Sequence, residues 1–326
     1  MTRPGRFDIL KGMKVKSFAI RIGACAIEVA CAGCRILETG YGDDNVVVRT
    51  STDAVSSATG AVKSTVAWAG ASILSFADDM GPDEQAYCIR CGELAASAYR
   101  NKPNLPEGFR PLSADAVSRL GLPQGRYSYE ESTGYLEDVD GSGFGARLLE
   151  SSGGSEVVVA YRGSNAPGED ADWAQDWLVD VQQGGGGLPV QYVRGAEVLA
   201  AVRRAYPEMR VSVAGHSLGG GIAAYSVLEL PSVERVMCRT YNAAGISVIS
   251  LQSFARERVE GAKSVIANVR SKGDPVSAIP GTQLVGAIYE VDNLRFANHS
   301  IDGLLVDMRR RAAGRRAGWL RDLMDD

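Results

Sequence analysis

The chain has 326 residues, enough to bury a full hydrophobic core in one large domain or two small ones. At 45% hydrophobic and 23% charged it has the makeup of a folded globular protein, which excludes a disordered or fibrous chain. A net charge of −4 gives no whole-molecule attraction to nucleic acid, so no nucleic-acid partner is expected.

Lys11, Lys14 and Lys16 precede an apolar run over residues 17–34, and Ile22-Gly23-Ala24-Cys25 loosely resembles a lipoprotein cleavage site. Arg21 and Glu28 interrupt the run, which a secretory segment does not normally tolerate. Lys14, Arg21 and Glu28 are spaced by sevens, so the segment reads as an amphipathic helix. With no credible signal peptide, synthesis in the cytoplasm is expected, followed by delivery to a target cell or association with a membrane surface.

Residues 54–77 are rich in Ala, Gly and Ser and carry Lys63; a packed helix fits this weakly hydrophobic run better than a membrane span. A helix is expected over residues 83–99. Of six cysteines, Cys31/Cys34 and Cys88/Cys91 have Cys-x-x-Cys spacing, but they sit among Ala, Ile and Val and read as small core residues rather than zinc ligands. Free thiols fit a reducing compartment.

Pro103, Pro106, Pro111 and Pro123 then break the chain into turns. The boundary is placed here: a helical N-terminal region over 1–102, and a second domain over 103–326. Residues 143–149 and 156–161 predict two strands joined by Ser151-Ser152-Gly153-Gly154, and 192–206 an amphipathic helix. A short strand over 210–214, a helix over 218–230 stopped at Pro231, and strands over 233–241, 264–269 and 287–291 complete the alternation. Such alternation implies an α/β fold: a mostly parallel sheet with helices on both faces. The C-terminus ends in a basic cluster, Arg309-Arg310-Arg311 and Arg315-Arg316, that reads as a solvated helix face, with contact to anionic lipid headgroups as the sharper alternative.

Gly215-His216-Ser217-Leu218-Gly219 matches the G-x-S-x-G nucleophile elbow, between a predicted strand and a predicted helix. The turn is so sharp that glycines are needed at its flanks, Gly215 and Gly219, and it leaves the serine exposed at a strand's carboxyl end. The chain has only two histidines. His216 adjoins Ser217 and should point away from its hydroxyl, which leaves His299 as the base. For the acid, Asp274 follows the strand at 264–269, on the edge where such groups converge; Asp292 and Asp302 compete with it. The oxyanion would be held by the backbone N–H of Leu218, first residue of its helix, and by Ser164 in Tyr161-Arg162-Gly163-Ser164.

Val158-Val159-Ala160-Tyr161-Arg162-Gly163-Ser164, Asp172-Trp173, the segment from Trp177 to Asp180, and Gly215-His216-Ser217-Leu218-Gly219-Gly220 together resemble the class 3 lipase family, which includes bacterial phospholipase A1-like enzymes. Thr240-Tyr241-Asn242-Ala243-Ala244-Gly245 and Gly273-Asp274-Pro275-Val276 are similar to its later segments. The resemblance implies an α/β-hydrolase fold, ester hydrolysis on lipid-like substrates and no metal or organic cofactor. It also implies catalytic roles for Ser217, Asp274 and His299 with Ser164 and Leu218 at the oxyanion hole, and a bracing role for the Trp177 to Asp180 segment. Only a short polar stretch, residues 165–172, stands where such lipases often carry an apolar lid. The N-terminal helices are then expected to cover the site or dock on a membrane, as in a toxin or effector lipase. Alternatives are a small-molecule esterase or acyltransferase, and a silent lipid-binding protein on the same fold.

Overall fold

The computed structural model describes the backbone of residues 16–22, 25–31, 35–36, 38–42 and 45–49, and then residues 72–99, 104–164, 188–279, 281–292 and 299–324, with side chains from 72 to 314. The chain divides into two compact units, one of Met1–Gly70 and Trp177–Gly187, the other of Ala71–Asp176 and Leu188–Asp326.

In the first unit the described elements are strands: β1 (Lys16–Ile22), β2 (Cys25–Cys31), β3 (Arg35–Ile36), β4 (Glu38–Gly42) and β5 (Asn45–Arg49). This corrects the amphipathic helix expected over 17–34. Phe18, Ile20 and Ile22 alternate with Ala19 and Arg21, a strand period, and pair in register with Val29, Ile27 and Cys25. Arg21 and Glu28 fall on two different antiparallel strands, so the seven-residue charge spacing carried no helical information.

The second unit opens with β6 (Ile73–Ser75) and α1 (Pro82–Ser97), followed by β7 (Phe109–Pro111), α2 (Ala114–Ser118), β8 (Tyr127–Glu130) and β9 (Tyr135–Asp138). Then come β10 (Gly145–Ser151), β11 (Glu156–Tyr161), α3 (Val190–Ala205), β12 (Arg210–His216), α4 (Leu218–Glu229) and β13 (Val236–Tyr241). The remainder is β14 (Ile246–Ser247), α5 (Val248–Gln252), α6 (Arg256–Lys263), β15 (Ile266–Ser271), β16 (Thr282–Gln283), β17 (Ala287–Val291) and α7 (Ile301–Met324).

One mixed sheet runs β6-β17-β15-β13-β12-β11-β10-β9-β8. From β6 to β11 all neighbours are parallel, and β10, β9 and β8 extend it antiparallel, with β7 pairing the far end of β10. The antiparallel hairpin of β8 and β9 goes beyond the sequence expectation; its exposed Ser128 and Glu130 suit an edge. β6 and α1, expected in a separate N-terminal region, belong to the unit that holds the sheet. The helix expected over 54–77 gives way to a strand at Ile73–Ser75, and residues 50–71 lie outside the described residues.

β11 is buried along its whole length, because helices cover both faces. On one face Val158, Ala160 and Ala214 pack with Cys88, Cys91 and Leu94 of α1 and Leu304 and Met308 of α7. On the other, Tyr161 donates a hydrogen bond to the Gly195 carbonyl of α3 (2.7 Å). At the C-terminal helix Arg309 pairs with Glu93 (2.7 Å), Arg310 with Asp307 (3.2 Å) and Arg311 with Asp292 (3.4 Å). Among the described residues no helix is long and apolar enough to cross a membrane.

Candidate active site

The carboxyl ends of β11, β12, β13, β15 and β17 lie on one edge of the parallel sheet, and the residues of interest follow those ends. Ser217 stands between β12 and α4 at φ 58° and ψ −127°, a conformation that L residues rarely adopt. A β-carbon on Gly215 would overlap the Gly219 carbonyl, and one on Gly219 would overlap the Tyr161 carbonyl. The elbow therefore needs glycine at both flanks for reasons of space. The Ser217 N–H is bonded to the Tyr241 carbonyl (3.0 Å), and the Ser217 carbonyl accepts from Gly220 and Ala244 (both 3.0 Å).

His299 Nε2 lies 2.9 Å from Ser217 Oγ, and His299 Nδ1 lies 2.7 Å from Asp274 Oδ1. The other Asp274 oxygen accepts the Ser277 N–H (2.8 Å), which locks the carboxylate's rotation in a buried site. Ser300 caps α7 by accepting from Gly303 N–H (3.3 Å), so His299 is held at the last position before a helix start. The three residues selected from sequence are thus brought together. The competitors are elsewhere: Asp292 is exposed and pairs with Lys272 and Arg311, and Asp302 sits in the first turn of α7.

The segment after β11 passes directly beside the serine. A β-carbon on Gly163 would meet the Tyr99 hydroxyl, the His216 carbonyl (2.8 Å) and Ser217 Cβ (3.3 Å), so only glycine lets the chain through. Ser164 follows; its Oγ is buried and has no hydrogen-bond partner among the described residues. Leu218 opens α4, so its N–H has no intrahelical acceptor. Gly163 next to Ser217 Cβ brings the Ser164 segment alongside the serine, and Leu218 follows the serine in the chain. Residues 165–172 and the Trp177 to Asp180 segment lie outside the described residues.

The roles of two positions, Asn242 and Tyr99, escaped the sequence reading, and His216 was read only as pointing away from Ser217. Asn242, at φ 42°, accepts the Ser271 N–H on its side-chain carbonyl (2.7 Å) and so ties the end of β13 to the end of β15, just before Asp274. Tyr99 OH lies 2.7 Å from His216 Nδ1, and His216 Nε2 lies 2.8 Å from the His299 carbonyl. His216 is buried, and burial together with the nearby His299 lowers its pKa to about 3. Asn242 was visible only as part of a motif. Tyr99 gave no local signal at all.

The family model described as a Tle-like phospholipase domain matches residues 90–324. The chain is 30% identical over 191 residues to an extracellular phospholipase A1 of Serratia liquefaciens, a match that covers 58% of this chain and 52% of the relative. The chain thus spans about half the length of that relative. Among solved structures it is similar to a fungal lipase (15% identity, 69% of this chain and 86% of that one, TM-score 0.46). It is also similar to a triacylglycerol lipase of Penicillium expansum (12% identity, 67% and 83%, TM-score 0.40). The family model and the bacterial relative agree with the lipase and phospholipase A1-like resemblance drawn from the motifs. Since the family model spans well over half of the chain and every residue of the site, the chain belongs to the Tle-like phospholipase domain family.

Proposed function

We propose that the chain hydrolyses carboxylic esters of acyl lipids in the manner of a phospholipase A1, with Ser217 as nucleophile, His299 as general base and Asp274 as the acid that orients it. The observation that supports this best is the pair of contacts on one imidazole, 2.9 Å to Ser217 Oγ and 2.7 Å to Asp274. Ser217 Oγ attacks the acyl carbonyl while His299 Nε2 takes its proton. Asp274 accepts the Nδ1–H and stabilises the imidazolium. The oxyanion is held by the Leu218 N–H and by Ser164. His299 then returns the proton to the departing alcohol, and the same base activates the water that releases the acyl group. Acyl lipids as the substrate class follow from the family and from the name of the Serratia relative. Delivery as an effector, with residues 1–70 as a docking element, belongs to the same proposal; deleting them and finding unchanged liposome binding would sink it.

The test is fluorophosphonate labelling of the wild type, S217A and H299A, with hydrolysis of p-nitrophenyl butyrate and phosphatidylcholine vesicles measured alongside. Loss of labelling and turnover in both variants is expected, with preference for the vesicles. Preference for the short ester identifies a small-molecule esterase. A folded wild type that neither labels nor turns over overturns the catalytic proposal.

A further inference from the structure

The Tyr99 hydroxyl and the His216 ring occupy the core behind Ser217, and neither takes part in the proposed chemistry. Their hydrogen bonds have only one consistent direction. The His299 carbonyl can only accept, so His216 Nε2, 2.8 Å away, must carry the proton. In the neutral ring Nδ1 is then an acceptor, and Tyr99 OH at 2.7 Å must donate to it. The Tyr99 hydroxyl in turn packs against the Gly163 backbone, where a β-carbon would overlap it. Both donors point the same way, Tyr99 to His216 to His299, and the Tyr99 end abuts Gly163. Bonds in such a chain polarise one another.

The two ends of the chain are the two parts of the site that must hold still relative to each other. Gly163 precedes Ser164 on the oxyanion side. The His299 carbonyl belongs to the residue whose ring lies 2.9 Å from Ser217 Oγ, and the two imidazoles lie tilted by 37° with centroids 4.8 Å apart. Tyr99, at the end of α1, bridges them from below. A second proton on His216 would reverse the Tyr99 bond, with Nδ1–H donating to the phenol oxygen, so the one-way chain exists only with a neutral ring. Burial and the neighbouring His299 keep the ring neutral.

We infer that Tyr99 and His216 are positioning residues, forming a one-way hydrogen-bond chain that fixes the spacing between the Gly163-Ser164 oxyanion segment and the backbone of His299. The inference rests on the triad proposed above. Removing the Tyr99 hydroxyl leaves the fold, the triad side chains and the substrate surface in place but lets both ends drift. A displacement of about 1 Å in such a site costs up to about a hundredfold in rate.

The experiment is to measure kcat and KM of wild type, Y99F, H216A, H216Q and Y99F/H216A, each normalised to sites titrated with fluorophosphonate. Y99F is expected to lose about tenfold or more in kcat with KM within about twofold, the signature of lost transition-state placement rather than lost binding. H216Q, which keeps an N–H for the His299 carbonyl, should recover part of what H216A loses. The double variant should be no worse than H216A, because both substitutions cut one chain. A Y99F enzyme with wild-type kcat per titrated site, or additive losses, overturns the inference. Imidazole ¹⁵N spectra test it independently of turnover: His216 should be the Nε2–H tautomer and should not titrate between about pH 5 and pH 9. An Nδ1–H tautomer overturns it. A wild type that fails to label overturns the triad instead, leaving the tautomer to decide the chain.

Discussion

Gly215 and Gly219 stand so close across the elbow that a β-carbon on the first would overlap the carbonyl of the second. The clash is with backbone on both sides, and backbone of a helix start cannot swing away as a long side chain can. G215A and G219A are each expected to lose about 3 kcal/mol of stability in urea unfolding. A variant that unfolds with the wild type would show that the elbow relaxes.

Ser217 holds a strained backbone at φ 58°. Serine tolerates it only because the surrounding structure holds it there, and glycine adopts such a conformation freely. S217A and S217G should both lack esterase activity, yet S217G should be the more stable by about 1 kcal/mol, against the usual order for these residues. The reverse order in thermal melts would argue that the strain is absent.

Glu156 is buried at the start of β11, where it accepts from Ser212, while Tyr87 hydrogen-bonds Ser212 Oγ at 2.7 Å. Its two arginine partners, Arg90 at 3.4 Å and Arg210 at 3.2 Å, are 39% and 45% exposed. Water can re-solvate those arginines but not the orphaned hydroxyls. E156A is therefore expected to cost about 2 kcal/mol and R210A less than about 1 kcal/mol. Equal costs would put the energy in the ion pair rather than in the buried chain.

His216 links folding to pH. Its pKa falls from 6.5 to about 3 on folding, under burial and the neighbouring His299, with Tyr99 as its other contact. Between those values the unfolded chain binds the extra proton, so stability is complete above about pH 6.5 and falls as pH drops toward about 3. The slope is up to about 1.4 kcal/mol per pH unit. The stability gap between wild type and H216Q should thus narrow steadily from about pH 7 to about pH 4. Denaturant midpoints that keep a constant gap would contradict this.

Burial pushes the thiols of Cys91 and Cys238 up to about 12, and Cys88 is raised as well. All three are free and buried. In the native protein at about pH 8 they should resist a disulfide reagent, since the thiolate is the reactive form, and react once the protein is unfolded. Peptide mapping of rapidly labelled sites would overturn this if any of the three appeared.

The sequence by itself determined the local geometry of the serine and the α/β character of the second unit. The reason is that their demands are local: a strained turn needs glycines at fixed spacing, and strands buried on both faces need continuous apolar runs such as Val157-Val158-Val159-Ala160. His299 could be named because the chain has one other histidine, and that one adjoins Ser217. At residues 17–34 the sequence misled, since short apolar runs fit both periods and only the pairing of β1 with β2 distinguishes them. Tertiary structure alone decided the rest. It buried Asp274 against Ser277 N–H while leaving Asp292 exposed, and it placed Tyr99 against His216 across 117 positions of chain. Such choices depend on which strand ends the sheet order brings together, and hydrogen bonds between distant segments leave no periodic trace in the segments themselves.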